Sequence, residues 1–169
     1  LVLIGTAAIN CTVNELANTL GGYSAANVLT GGAGNDQLRG NGGNDTLIGG
    51  TGDDIYWFRT GDGVDTVREV AGEGTADEIR FDAGIVATDI SVSLVTNGSA
   101  TNLVLAHRNG TDRITLSNWS RTGTNGIERV VFSNGTTWTA ADLNAKLTPA
   151  QTLTGTAGID TLTGGTGND

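Results

Sequence analysis

Gly31-Gly32-Ala33-Gly34-Asn35-Asp36-Gln37-Leu38-Arg39 is followed directly by Gly40 to Ile48 (GNGGNDTLI) and Gly49 to Trp57 (GGTGDDIYW), three consecutive nine-residue blocks of the form G-x-x-G-x-D-x-U-x, with U a large apolar residue. The period reaches upstream in weaker form. Asn18, Asn27, Asp36, Asp45 and Asp54 stand nine apart, and Leu20, Leu29, Leu38, Leu47 and Tyr56 follow them two residues later. Five blocks over residues 13–57 thus keep a polar and an apolar phase locked together, although the first two carry Asn for Asp and have lost most of their glycines. A short fixed period of this kind is the mark of a solenoid.

Residue type says what each part of a block does. Six residues form a turn whose torsions only Gly, Asn or Asp adopt at low cost. Three form a short strand whose single apolar side chain points inward, onto its equivalents in neighbouring coils. Two blocks make one coil, so residues 18 apart lie above one another: Asp36 and Asp54 on one side, Asp45 on the other. One such block is no more than a turn former. Three in tandem stack carboxylates closely enough to need a counter-ion, and Ca²⁺ suits the place because it takes oxygen ligands, backbone carbonyls included.

The nonapeptide resembles the calcium-binding repeat of the RTX (repeats-in-toxin, haemolysin-type) family. That resemblance implies a parallel β-roll with each ion held between turns one coil apart, by aspartate carboxylates and turn carbonyls. Carried onto this chain, it implies a first site at Asp36 and Asp54, with the 31–34 turn (Gly31, Gly32, Gly34) and the 49–52 turn (Gly49, Thr51, Gly52). A second is implied at Asp45 and the 40–43 turn (Gly40, Gly42, Gly43), completed by Asp62 and Asp65 of Gly61-Asp62-Gly63-Val64-Asp65. That last segment is two residues out of phase, since Asp65 stands 11 beyond Asp54. Asn18 and Asn27 bring no charge and predict weaker sites or none.

From about Ala76 the glycine repeat gives way to alternating segments at Glu78–Phe81, 90–94, 103–105, 114–116, 130–132 and 137–138, which predict short half-buried strands. Asn109-Gly110 predicts a hairpin. Thr139 is placed to cap a short helix from Ala140 to Leu147, ended by Pro149. Residues 61 to about 147, with GDGVDTV, DEIRFDAGI, LVLAHRNGTDRITLSNW and IERVVFSNGTTWT, resemble the haemolysin-type calcium-binding related region that follows RTX blocks. This implies a β-rich module covering the roll's exposed end, with Tyr56, Trp57 and Phe58 as packing partners.

The expected fold is therefore all-β. It comprises a parallel β-roll over 1–58, a connecting segment over 59–75, a β-rich capping module with one short helix over 76–147, and the start of a further roll over 148–169, where Asp160 and Asp169 are the candidate ligands. Leu3-Ile4-Gly5-Thr6-Ala7-Ala8-Ile9-Asn10 and Leu153-Thr154-Gly155-Thr156-Ala157-Gly158-Ile159-Asp160 match at five of eight positions, offset by 150, and predict a tandem array of roll-plus-cap units. The chain ends in mid-motif at Gly167-Asn168-Asp169 and reads as a piece of something longer.

A net charge of −9 disfavours nucleic acid and anionic membrane as partners. No apolar run is long enough to span a bilayer. Cys11 is the sole cysteine, so there is neither an internal disulfide nor a multi-cysteine zinc site, and it reads as a small buried residue. His107, the only histidine, reads as a surface strand residue beside a turn. No nucleophile elbow, zinc helix or phosphate loop occurs, and the regular aspartates are explained by the cation. Trp119 and Trp138 read as core. No enzyme is expected. Three functions are consistent with these features. The first, which is favoured, is a calcium-folded extracellular unit of an adhesin, surface layer or fibre, with self-association through an open roll end. The others are a secretion and folding appendage of an enzyme such as a lipase, protease or epimerase, and a glycan or cell-surface binding module. The family resemblance further implies type I secretion in an unfolded state.

Overall fold

The computed structural model describes residues 8, 10–69, 74–120 and 126–147. The expected further roll with Asp160 and Asp169, the 150-residue repeat and Pro149 lie outside them. Along the chain come β1 (Cys11–Thr12), β2 (Thr19–Gly21), β3 (Val28–Ala33), β4 (Gln37–Arg39), β5 (Thr46–Thr51), β6 (Ile55–Phe58), β7 (Val64–Val67) and β8 (Glu78–Phe81). Odd and even strands go to opposite sheets, and within each sheet β1 to β8 pair in parallel. That is a parallel β-roll. β3 and β5 are longer than the three residues expected, because Gly32 and Gly50 stay in register and the ladder runs on through the glycine pair.

The apolar residue of each block forms an inward column. On one sheet Leu29, Leu47 and Val67 stack, on the other Leu20, Leu38, Tyr56 and Ile79, all at most 1 % exposed. The register shows how the roll survives its irregular stretch. Leu29 pairs with Leu47, 18 residues on, but Leu47 pairs with Val67 and Tyr56 with Ile79. The surplus residues are taken up in the turns, where chain length is least constrained, while the strands keep their columns.

The remainder consists of β9 (Ile90–Asn97), β10 (Ala100–His107), β11 (Arg113–Leu116), β12 (Arg129–Val131), β13 (Thr137–Thr139) and α1 (Ala140–Lys146). Here the structure differs from the expected division into roll, connector and cap. The 59–75 segment contains β7, a full roll strand, and β8 of the expected cap closes the same coil. Both sheets then run on: β11 pairs in parallel with β7 and β12 with β8. Only beyond them do the antiparallel strands β10, β9 and β13 finish the sheets. One hydrophobic core runs from Leu20 to Leu147.

The local expectations for this half correspond to definite contacts. Gly98, Gly110 and Gly135 take positive φ (62°, 79° and 84°) in the three antiparallel turns. Thr139 accepts from the Asp142 N–H at 3.2 Å, and the Asp142 carboxylate accepts from the Thr139 N–H at 2.8 Å, a reciprocal helix cap. Trp119 is 5 % exposed and donates to Asn144, while Trp138 packs edge-on against Phe132 at 4.5 Å. His107 ends β10, its Nδ1 accepting from the Asn109 N–H in the adjoining turn. Tyr56 and Phe58 are buried, but period-two alternation turns Trp57 to the outer face, between the guanidinium groups of Arg39 and Arg80.

Candidate metal centre

The three turns at 31–34, 40–43 and 49–52 repeat one backbone solution. Their second and fourth positions are left-handed: Gly32, Asn41 and Gly50 (φ 100°, 63° and 106°), then Gly34, Gly43 and Gly52 (99°, 130° and 122°). Gly42 stands where other blocks have Ala33 and Thr51, and Thr51 offers its carbonyl to the Gly34 N–H at 2.8 Å. The turn delivers an aspartate to the start of the next strand.

These aspartates form two ladders. On one side the Asn18 N–H donates to Asp36 Oδ1, the Asp36 N–H to Asp54 Oδ1, and the Asp54 N–H to Asp77 Oδ1, each at 2.7 Å, and the Asp77 N–H closes the ladder on Glu128 Oε2. On the other the Asn27 N–H donates to Asp45 Oδ1 at 2.7 Å and the Asp45 N–H to Asp65 Oδ1 at 2.9 Å. Asp36, Asp45, Asp54, Asp65 and Asp77 are at most 1 % exposed.

One oxygen of each carboxylate is thereby engaged, and the other is the informative one. Oδ2 of Asp36, Asp45, Asp54 and Asp77 is buried with no hydrogen-bond donor. Each points back across its turn: a Cβ on Gly31, Gly40, Gly49 or Gly74 would collide with Oδ2 of Asp36, Asp45, Asp54 or Asp77 respectively. Carbonyls of an adjacent coil crowd the same places, Gly49 O over Gly31 and Gly52 O over Gly74. Among the described residues no three His, Cys, Asp or Glu side chains group as a metal site. A cation here would therefore be held by one or two carboxylates and several carbonyls. An oxygen-only donor set with buried, unpaired carboxylate oxygens fits Ca²⁺ and not a softer metal. Asp36 and Asp54, Asp54 and Asp77, and Asp45 and Asp65 are the pairs that would hold it.

Burial pushes these carboxyls upward: Asp45 and Asp54 to about 6, Asp77 to about 7 and Asp65 to about 8, with Asp36 raised as well. The like charge of Asp36 adds to the rise at Asp54. Without a cation the ladders are costly to ionise.

The sequence-derived residues sort as follows. Asp36, Asp45, Asp54 and Asp65 lie on the ladders, and Gly31, Gly40 and Gly49 make room for them. Asp62 is off both ladders; it accepts from the Arg59 N–H at 2.9 Å and pairs with Arg59 Nε at 3.1 Å, bracing its own turn. Asp77, Glu128 and Glu69 were not foreseen. A signal for Asp77 exists, since Asp77-Glu78-Ile79 repeats the D-x-U of Asp54-Ile55-Tyr56 and Asp65-Thr66-Val67, with Thr75 in place of the glycine that stands two residues before each of those aspartates.

Asp54→Asn preserves the acceptor for the Asp36 N–H but removes the charge shared by two turns. It should raise the calcium concentration for half-folding about tenfold or more, since ligand charge tunes such sites over decades, and leave the calcium-free protein no less stable. Circular dichroism during calcium titration measures both.

Comparison with known proteins bears on the same residues. The profile of the RTX calcium-binding nonapeptide repeat matches residues 21–56 and again 150–169, and that of the haemolysin-type calcium binding protein related domain matches 102–142. No curated protein matches. Among solved structures, the solution structure of the AlgE6R3 subunit from the Azotobacter vinelandii mannuronan C5-epimerase is similar at 23 % identity and TM-score 0.38, over 95 % of this chain and 98 % of that one. At that level the fold is read from this chain's own strands. The chain thus belongs with the RTX calcium-binding repeat proteins, with nonapeptide repeats that over 21–56 wind as a parallel β-roll and a haemolysin-type calcium binding protein related domain over 102–142.

Proposed function

We propose that this chain is a non-catalytic, extracellular structural module of a larger secreted protein of adhesin, surface-layer or fibre type, and that calcium is its folding switch. The observation that carries this is the pair of buried aspartate ladders whose Oδ2 atoms have no donor. Deprived of cations, stacked carboxylates repel and lack solvation, while 27 glycines make ordering expensive in entropy. Bound calcium neutralises the ladders and supplies the missing partner of each Oδ2, so that its binding energy becomes folding energy. The residues do the rest. Oδ1 atoms set the spacing of the coils, glycines give the carboxylates room, and the Leu, Tyr and Ile columns exclude water. Low cytosolic calcium then keeps such a chain open for export, and extracellular calcium closes it. No helix among the described residues is long and apolar enough to cross a membrane.

Size-exclusion chromatography with light scattering, in millimolar Ca²⁺ and in chelator, tests this. An expanded monomer in chelator that becomes compact in calcium supports the switch, and a mass above one chain in calcium adds self-association. The same compact species in both conditions sinks it.

A further inference from the structure

The heads of the turns on one side of the roll are Gly31, Gly49 and, one coil further, Glu69. The registers Leu29↔Leu47 and Leu47↔Val67 align these three positions. In the first two a side chain is excluded, because the carboxylate of the same turn fills the space beside Cα. In the third a carboxylate side chain stands instead, and it reaches down into the coil below. Glu69 Oε1 accepts from the Gly49 N–H at 3.1 Å, beside the Tyr56 hydroxyl, which accepts from the same N–H at 2.6 Å. Asp54 Oδ2, fully buried and without a donor, points into the same space. Asp54 Oδ2, Glu69 Oε1 and the Tyr56 hydroxyl all crowd the spot that a Cβ on Gly49 would take.

We propose that Glu69 is a calcium ligand, and that the ion at the last coil is held by the carboxylates of Asp54 and Glu69, beside the Tyr56 hydroxyl. The position otherwise reserved for glycine has become a charged arm, just where the nonapeptide pattern stops and the next turn loses its regular length. Like the aspartate pairs of the repeats, this site brings two carboxylates to its ion, and it anchors the roll on the strands beyond it. The assignment rests on the calcium reading above.

Glu69→Gln separates ligand from scaffold, because a glutamine oxygen still accepts from the Gly49 N–H. With Ca²⁺ alone as titrant, calorimetry on the full chain should show one ion weakened about tenfold or more and the others unchanged. The carboxyl ¹³C resonance of Glu69 in the unsubstituted chain should move as calcium is added, while that of exposed Glu15 stays still. A Glu69→Gln isotherm that matches the unsubstituted chain overturns the assignment. If the variant does not fold, a Glu69 resonance that is unmoved at saturating calcium overturns it equally. Absence of any calcium binding by the unsubstituted chain is a different result: it rejects the calcium reading itself, and this assignment with it.

Discussion

Gly50→Ala is expected to abolish the roll even at saturating calcium. Gly50 has φ +106°, and its Cβ would strike the Gly32 carbonyl of the adjacent coil. The left-handed conformation alone costs a non-glycine residue about 1–2 kcal/mol. The collision is worse, because neither backbone can retreat. Gly32 and Gly50 are paired in register, and the neighbouring Thr51 carbonyl is bound by the Gly34 N–H at 2.8 Å. Strands in one sheet are held about 4.8 Å apart, and opening that spacing would break the Asp36–Asp54 rung alongside. The total should reach several kcal/mol, against a whole-domain stability of about 5–15. Gly84→Ala is the control: its φ is +98° but nothing lies within 4 Å of the added Cβ. It should lose only the torsional cost, lowering the thermal midpoint by a few degrees. Equal shifts for the two variants, measured in saturating calcium, would show that the coils are not packed as described.

The second large effect is an inversion of the pH profile by calcium. Asp45 and Asp54 titrate at about 6, Asp77 at about 7 and Asp65 at about 8 in the folded chain, all raised chiefly by burial from an ordinary 3.8. A folded-state pKa above the unfolded one means that the fold binds protons more tightly than the unfolded chain. Its contribution is fully present below pH 3.8 and is lost as pH rises through about 6 to 8. The calcium-free protein should therefore gain β-structure on acidification from pH 8 towards 4. Asp53, Asp82 and Asp142 have lowered values, the first and last through hydrogen bonds from Thr75 and Thr139, and Asp82 through Arg39. At Asp112 burial raises the value, but hydrogen bonds from Gly61, Asn109 and Gly63 outweigh it. The stability these four contribute is present above 3.8 and falls only below it, so they do not oppose the trend in this window. In calcium the dependence reverses, because protons compete for the same carboxylates and the calcium midpoint rises as pH falls. Far-ultraviolet circular dichroism from pH 8 to 4, in chelator and in calcium, reads both. A calcium-free signal that is flat across that range would mean that the ladders are not buried as carboxylates.

Much of the site was legible because it is local. Asp36, Asp45 and Asp54 announce themselves through glycines within five residues of each, and those glycines are required by torsions and by the carboxylate beside them. The apolar phase named the column Leu20, Leu38 and Tyr56 and the column Leu29 and Leu47 directly. Asp62 lies off the ladders for an instructive reason. Gly61-Asp62-Gly63 has the composition of a turn head, but composition does not say which of two aspartates three residues apart reaches the ladder. The partner of Asp62 is Arg59, and Asp65 takes the rung.

The sequence by itself determined the repeating unit: a turn with two left-handed positions, a carboxylate at its end and one inward apolar residue, together with the oxygen chemistry that follows. These are properties of neighbouring residues, and a nine-residue period displays them all. Only the tertiary structure decided where the roll ends. Its third coil is closed by β7 and β8 at offsets of 20 and 23 residues, its ladder reaches Asp77 and Glu128, and Glu69 comes to stand over Gly49. A parallel ladder asks only that strands meet in register and that inward columns stay filled; the turns absorb any surplus residues. Once the spacing ceases to be regular, the pairing is set by non-local backbone bonds and by burial, and no local period reports it.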